Sequence, residues 1–334
     1  MRNWLLVFAL LATAGIAAGC HGSSSGASGP TPIPTSSIRS GADEVAYGDD
    51  FTVGIGTQFC GLSPSGPCAT SQSVPGVSVF VNPTGWSQRF GGALQNNPRW
   101  APSASVIQGV YGALSGDAPK PEGSGGDLLS NSGQFGNLKT LVTNIRSNNI
   151  RMIVVVQSGI NDVFDAFYSA LCVSNGGTVT GGGNATLAAP CTASGTTLED
   201  SSNNVRNGTL YNAFRTMLAN LDQLAGGPPE VTIVVGVPDV GSLPYSIVNF
   251  SAGQRATLTA DSQLANTAMQ DAIADQLATN GKVAFADWYG YFAANPQYYT
   301  TTYYASDLLH LNDQGYAALE TLVFQTFTTG FPTF

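Results

Sequence analysis

Two runs that are apolar or β-branched at every position, Met152-Ile153-Val154-Val155-Val156 and Val231-Thr232-Ile233-Val234-Val235, constrain this chain more than any other feature. A strand with one wet face alternates apolar and polar side chains, so an unbroken run has to be covered on both faces. Weaker runs stand at Val45-Ala46-Tyr47, Ser105-Val106-Ile107 and Val283-Ala284-Phe285, with helical segments between them. Five strands alternating with helices predict an α/β domain built on a parallel sheet. Between the third and fourth runs, Leu210, Phe214, Met217, Leu218, Leu221 and Leu224 recur at three-and-four spacing. Between the fourth and fifth, Leu258, Ala265, Met269, Ile273 and Leu277 do the same, and Asn280-Gly281 supplies a helix stop. Both stripes predict helix faces turned to the core.

The chain ends add a compartment. Arg2 precedes an apolar run from Trp4 to Ala18 that stops at Ala17-Ala18-Gly19-Cys20. Residues 1–19 read as an export signal, too short to span a bilayer. The Ala-Ala-Gly-Cys ending resembles a bacterial lipobox, which implies lipidation of Cys20; an ordinary cleaved signal is the alternative, since Ala17 stands where that pattern more often has leucine. The expected location is therefore the bacterial cell envelope, lipid-anchored, or the medium. Residues 20–40 are mostly Ser, Gly, Pro and Thr and read as a flexible tether. Residues 41–334 are expected to form one domain, with an insertion at about 165–204 that lacks either period.

Cys60, Cys68, Cys172 and Cys191 make an even set in a chain read as exported, so disulfides are the default. Three connectivities are possible, and close spacing favours Cys60–Cys68 with Cys172–Cys191. Metal ligation is the poorer reading, because no CxxC occurs and the chain has 2 histidines. With Lys+Arg 12 against Asp+Glu 21 and the basic residues scattered, a phosphate-tracking groove is not expected, so nucleic acid is not an expected partner. No phosphate loop, dinucleotide fingerprint or HExxH occurs, and no cofactor is implied. The glycine stretches at 123–126 and 181–183 join no strand to a helix and read as loops. A monomer is expected, touching a membrane only through a lipid on Cys20.

In open parallel sheets reactive groups gather at the carboxyl ends of the strands. The first strand is followed by Gly48-Asp49-Asp50-Phe51-Thr52-Val53-Gly54-Ile55-Gly56 and the second by Gly109-Val110-Tyr111-Gly112-Ala113. The third leads into Gly159-Ile160-Asn161-Asp162, the fourth into Val237-Pro238-Asp239, and near the end stands Asp307-Leu308-Leu309-His310-Leu311-Asn312-Asp313-Gln314-Gly315-Tyr316. In order and spacing these segments resemble the sequence blocks of the SGNH (GDSL-like) hydrolases, over about residues 43 to 325. The resemblance implies a three-layer α/β/α, flavodoxin-like fold with a five-stranded parallel sheet. It also implies hydrolysis of carboxylic esters, of a lipid, an acylated sugar or a simple alcohol.

Carried over, His310 is the general base, Asp307 orients its imidazole, and Gly112 and Asn161 are oxyanion donors beside the backbone N–H of residue 50. Each type suits its task. A neutral imidazole takes a proton near neutral pH and returns it, a carboxylate fixes its tautomer, and an amide donates without titrating. Plainer roles stand beside these: a turn glycine for Gly112, a helix cap for Asn161 with a helix starting near Val163, and a structural histidine for His310. Asp162 is expected to be a helix-start or structural carboxylate, not a catalyst. Tyr298, Tyr299, Tyr303 and Tyr304 line a sugar or acyl site or merely pack.

Position 50 departs from the pattern. The family's first block reads Gly-Asp-Ser, with the serine as nucleophile, whereas this chain has Gly48-Asp49-Asp50. A carboxylate is not activated by giving a proton to His310. It pairs with the imidazolium instead, and it sets a negative charge where an oxyanion should be received. Thr52 and Ser306 are nearby hydroxyls that do not match the nucleophile position. Asp50 is a natural replacement in a scaffold kept for binding, an introduced substitution in an esterase, or the agent of changed chemistry, attacking an sp³ carbon or activating water.

Overall fold

Five short strands reach the centre of the protein because nearly every side chain on them is buried. The computed structural model describes residues 42–62, 72–74, 77–79, 82–96, 100, 105–109, 113–116, 128–129, 134–148, 150–175, 196–277 and 282–332. In chain order the elements are β1 (Ala42–Gly48), α1 (Asp50–Val53), β2 (Gln72–Val74), β3 (Val77–Val79), α2 (Trp86–Leu94), β4 (Ser105–Gly109) and α3 (Gln134–Ser147). There follow β5 (Arg151–Gln157), α4 (Ile160–Ser174), α5 (Thr209–Asp222), β6 (Val231–Val235), α6 (Pro244–Asn249) and α7 (Ala252–Leu277). The chain closes with β7 (Val283–Ala286), α8 (Trp288–Ala294) and α9 (Asp313–Gly330).

The main sheet has the order β4-β1-β5-β6-β7, and every neighbouring pair is parallel. β2 and β3 form a separate antiparallel pair. Helices α4 and α5 both pack on α7, and α2 packs on α9, so that helices cover the sheet in a three-layer α/β/α arrangement. Met152 through Val156 and Val231, Ile233, Val234 and Val235 are all at or near zero exposure, as unbroken apolar runs require. The chain runs from β1 outward to β4 and then back across β1 to β5. That reversal falls at the carboxyl ends of β1 and β5, the place where open α/β sheets hold their ligands.

Several expectations shift in detail. α4 begins at Ile160, not near Val163, and runs to Ser174. The stretch from Asp165 to Ser174 is therefore helix, not insertion, with Phe167 and Cys172 buried. Apolar Ile160, Val163 and Phe167 recur at helical spacing and carry the helix into the polar stretch. Leu277 ends α7 on the solvent side at 43% exposure, while Leu258, Ala265, Met269 and Ile273 face the core. Asn280-Gly281 and both glycine stretches lie outside the described residues.

Candidate active site

β1 ends in a corner that only glycine permits. A Cβ on Gly48 would lie 1.7 Å from the Gln157 carbonyl oxygen, so the two strands close here around a bare backbone. The chain then turns into the short helix α1. Asp49 caps it by accepting from Phe51 N at 3.0 Å, and Asp50 is its first residue. At the facing corner Gly159 takes φ 118° to start α4, and this leaves Asn161 pointing across at α1.

The third contribution comes from the loop before α9. Asp307 Oδ1 accepts the backbone N–H groups of Leu309 and His310, both at 3.1 Å, while Oδ2 meets His310 Nδ1 at 2.5 Å. The Asp-x-x-His spacing thus lets one carboxylate close the turn and grip the ring. Below the turn, Ala305 N donates to His310 O at 2.8 Å and Asn312 N to Tyr303 O at 3.0 Å. Asn312 caps α9 and donates through Nδ2 to Thr302 O at 2.8 Å and Tyr304 O at 3.1 Å.

These pieces meet in one line. His310 Nε2 lies 2.7 Å from Asp50 Oδ2, and Asn161 Nδ2 donates to Asp50 Oδ1 at 2.9 Å and to Ala113 O at 3.1 Å. The side chains of Asp50 and His310 are each 5% exposed, whereas Asp307 is 29% exposed and forms the rim. Burial disfavours a charged imidazole, but two flanking carboxylates outweigh it and push His310 up to about 9. Burial likewise works against a charged Asp50, yet the hydrogen bond and charge of His310, with Asn161, hold it below the usual carboxylate range. Asp307 is held low by the same imidazolium against a partial burial penalty. Asp49 goes the other way: burial, then the charge of Asp50, raises it far above the carboxylate range. At neutral pH the line is therefore carboxylate, imidazolium, carboxylate, and behind it burial pushes Asp49 toward its protonated form.

Among the sequence-predicted residues, Asp50, Asn161, Asp307 and His310 come together. Asn161 is not a cap, since Gly159 occupies that position of α4 and the amide reaches Asp50. Gly112 lies outside the described residues, as do Cys20, Cys68 and Cys191; Cys60 and Cys172 are buried. Thr52 Oγ1 donates to Gln157 O at 3.0 Å and Gln157 Oε1 at 2.9 Å, pointing into the β5 corner. Ser306 is exposed. Asp162 is structural: it accepts from Ser115 N and from Ser115 Oγ at 2.9 Å, tying the segment after β4 to α4. Tyr298, Tyr299 and Tyr303 pack in one aromatic cluster with Phe292. Tyr298 meets Phe292 and Tyr303 with ring centroids 5.0 Å apart, Tyr299 OH accepts from Asp239 N, and Tyr304 is buried.

Phe51 and Trp288 were not singled out from sequence. The Phe51 ring lies 5.1 Å from the His310 ring and 5.7 Å from Trp288, so an apolar wall backs the imidazole. Among the described residues, no group of three or more His, Cys, Asp or Glu converges as a metal site would need.

No protein-family model matches the chain, and no curated protein matches it in sequence. Solved structures do match. An extracellular lipase from Streptomyces rimosus aligns with TM-score 0.50 at 16% identity, covering 85% of this chain and 99% of that one. The two share a fold. LAE5, an α/β hydrolase enzyme from the metagenome of Lake Arreo, Spain, aligns with TM-score 0.44 at 13% identity, covering 87% of this chain and 95% of its own. At 16% identity the likeness to the lipase speaks for the fold alone.

Proposed function

We propose that the protein is a hydrolase of carboxylic esters by descent of its site, with Asp50 standing where the reaction needs a hydroxyl. The observation that carries this reading is the unbroken line Asp307, His310, Asp50, Asn161 at hydrogen-bond distances. In that line His310 is the base, Asp307 its orienting carboxylate, and Asn161 an oxyanion donor together with the N–H groups of Asp50 and Gly112. Because His310 titrates at about 9, it is charged at neutral pH and a poor base; Asp50 also sets a negative charge beside the donors. Ester turnover by the unaltered chain should therefore be slow. Asp50→Ser supplies the hydroxyl and removes one carboxylate from His310, and it should raise hydrolysis of short acyl aryl esters by about 10³ to 10⁶. His310→Ala in that background should abolish the gain. A folded serine variant that is inert across acyl lengths sinks the esterase reading.

A second reading is a catalytically silent, surface-tethered protein that holds an ester or glycan in the cleft. The buried Asp50–His310 ion pair favours it, because the pair removes nucleophile and base together. Clear ester turnover by the unaltered chain, lost in His310→Ala, would remove this reading. Under either, we propose export through residues 1–19, attachment at Cys20, a tether over 20–40, disulfides Cys60–Cys68 and Cys172–Cys191, and a monomer.

A further inference from the structure

Asp50 need not be only an obstacle, since a carboxylate is itself a nucleophile toward carbon atoms that bear no carbonyl. Its two oxygens have different partners. Oδ2 faces His310 Nε2 at 2.7 Å, and Oδ1 accepts from Asn161 Nδ2 at 2.9 Å. Attack by Oδ2 on an sp³ carbon would leave Oδ1 as the carbonyl oxygen of an alkyl ester, already polarised by an amide donor. We propose that the chain hydrolyses epoxides to vicinal diols, with Asp50 as nucleophile and His310 first giving and then taking the proton.

The proton balance selects this substrate class. His310 lies between Asp50 and Asp307, with Asp49 and Tyr316 behind, both pushed by burial toward their protonated forms, and carries two protons at neutral pH. Opening the ring forms an Oδ2–carbon bond and breaks a ring carbon–oxygen bond, and the electron pair goes to the ring oxygen. That oxygen takes the Nε2 proton, leaving a hydroxyalkyl ester on Asp50 and a neutral imidazole. With the charge of Asp50 gone, nothing on that side holds the imidazole protonated. It can therefore take a proton from water, whose oxygen adds to Asp50 Cγ while the developing oxyanion on Oδ1 is held by Asn161. Collapse breaks the Cγ–Oδ2 bond. The diol oxygen leaves with the imidazolium proton, and Asp50, now a carboxylic acid, returns its proton to His310. The sum is epoxide plus water to diol. A halide leaving group takes no proton and would strand His310 charged, and an unstrained ether lacks the ring strain that drives the first step. Attack on an ordinary ester carbonyl would give an anhydride, uphill from the ester.

The test uses the full chain with styrene oxide and cyclohexene oxide. Diol is expected from the unaltered chain and a loss of about a thousandfold or more in Asp50→Asn. In heavy-oxygen water with enzyme in excess, the first turnover should label the peptide holding Asp50 and not the diol. The rate should fall as pH rises through about 9, where His310 loses the proton that the first step spends. No diol with either epoxide, or label appearing directly in the diol, overturns the proposal. The ester reading is tested separately on Asp50→Ser, so one can fail without the other.

Discussion

Two adjacent aspartates show how far residue identity stops short of chemistry. Asp49 and Asp50 are both buried, yet Asp50 has an imidazolium and an amide to hold its charge, while Asp49 has the Phe51 N–H and the repulsion of its neighbour. Like charges this close do not both ionise when one has a cationic partner and the other does not. Asp49→Asn keeps the cap acceptor without a buried charge, so its unfolding free energy should change by no more than a few tenths of a kcal/mol, whereas Asp49→Ala should lose about 1 kcal/mol with the cap. The imidazole offers a direct reading. By proton NMR, His310 should titrate near about 9. In Asp50→Asn the titration should fall by about one pH unit or more, because one of two flanking carboxylates is gone. An unmoved titration would mean that Asp50 does not hold the proton. The order of the site was legible in sequence because GxND and DxxH are local spacings, in which a turn of fixed length sets the partners. Phe51 and Trp288 were not legible, since an aromatic wall is made by residues far apart in the chain that any core also needs. Nor was the upward shift of Asp49, whose largest cause is burial by residues distant in sequence.

At the scale of elements, the histidine is held by the entrance to α9. Asn312 accepts from Gln314 N at 2.9 Å and Gly315 N at 3.2 Å, and its amide holds Thr302 O and Tyr304 O. One turn later Tyr316 OH donates to Ile55 O at 2.8 Å, and Asp313 accepts from Gln58 N at 2.9 Å, so α9 also fastens the loop that follows α1. Asn312→Ala removes a cap and two further hydrogen bonds, and should cost about 1–3 kcal/mol in urea unfolding. In the Asp50→Ser background it should also lower ester turnover more than it raises KM, because the loop positions the base and not the substrate. The strands and the long helices were readable because burial on both faces, or on one stripe, writes a period into the sequence. α1 was not, since its 4 residues are too short for any period. The start of α4 was placed three residues late: Asn161 and Asp162 look like caps, but Gly159, at φ 118°, had already started the helix.

For the whole molecule, pH should act in one direction across the neutral range. Glu44 lies on β1 at 0% exposure, accepting from Ser87 Oγ at 2.9 Å and from Ser105 Oγ, and burial lifts it from 4.5 to about 8. The folded state keeps its proton while the unfolded chain gives it up, so the stability from Glu44 is complete below 4.5, shrinks as pH rises, and is gone by about 8. His310 adds a loss of the same sign: its favourable pairing is complete below 6.5 and is lost as pH rises through about 9. Asp50 and Asp307 are held low and oppose this only at the acid end, where protonating them breaks the line. A formal net charge of −9 adds self-repulsion that lessens on acidification. The melting temperature should therefore peak on the acid side of neutrality and decline toward pH 9. Glu44→Gln keeps an uncharged acceptor between the two serines, and it should flatten the decline between 4.5 and 8, with a gain on the order of a few kcal/mol at the upper end. His310→Gln should leave the decline between 4.5 and 6.5 steep and flatten the part between 6.5 and about 9. Thermal melts of the three proteins across pH separate the two windows. A Glu44→Gln curve parallel to the parent at every pH would mean that Glu44 is ionised in the fold, and that the β1 core holds a charge its two serine hydroxyls are enough to stabilise.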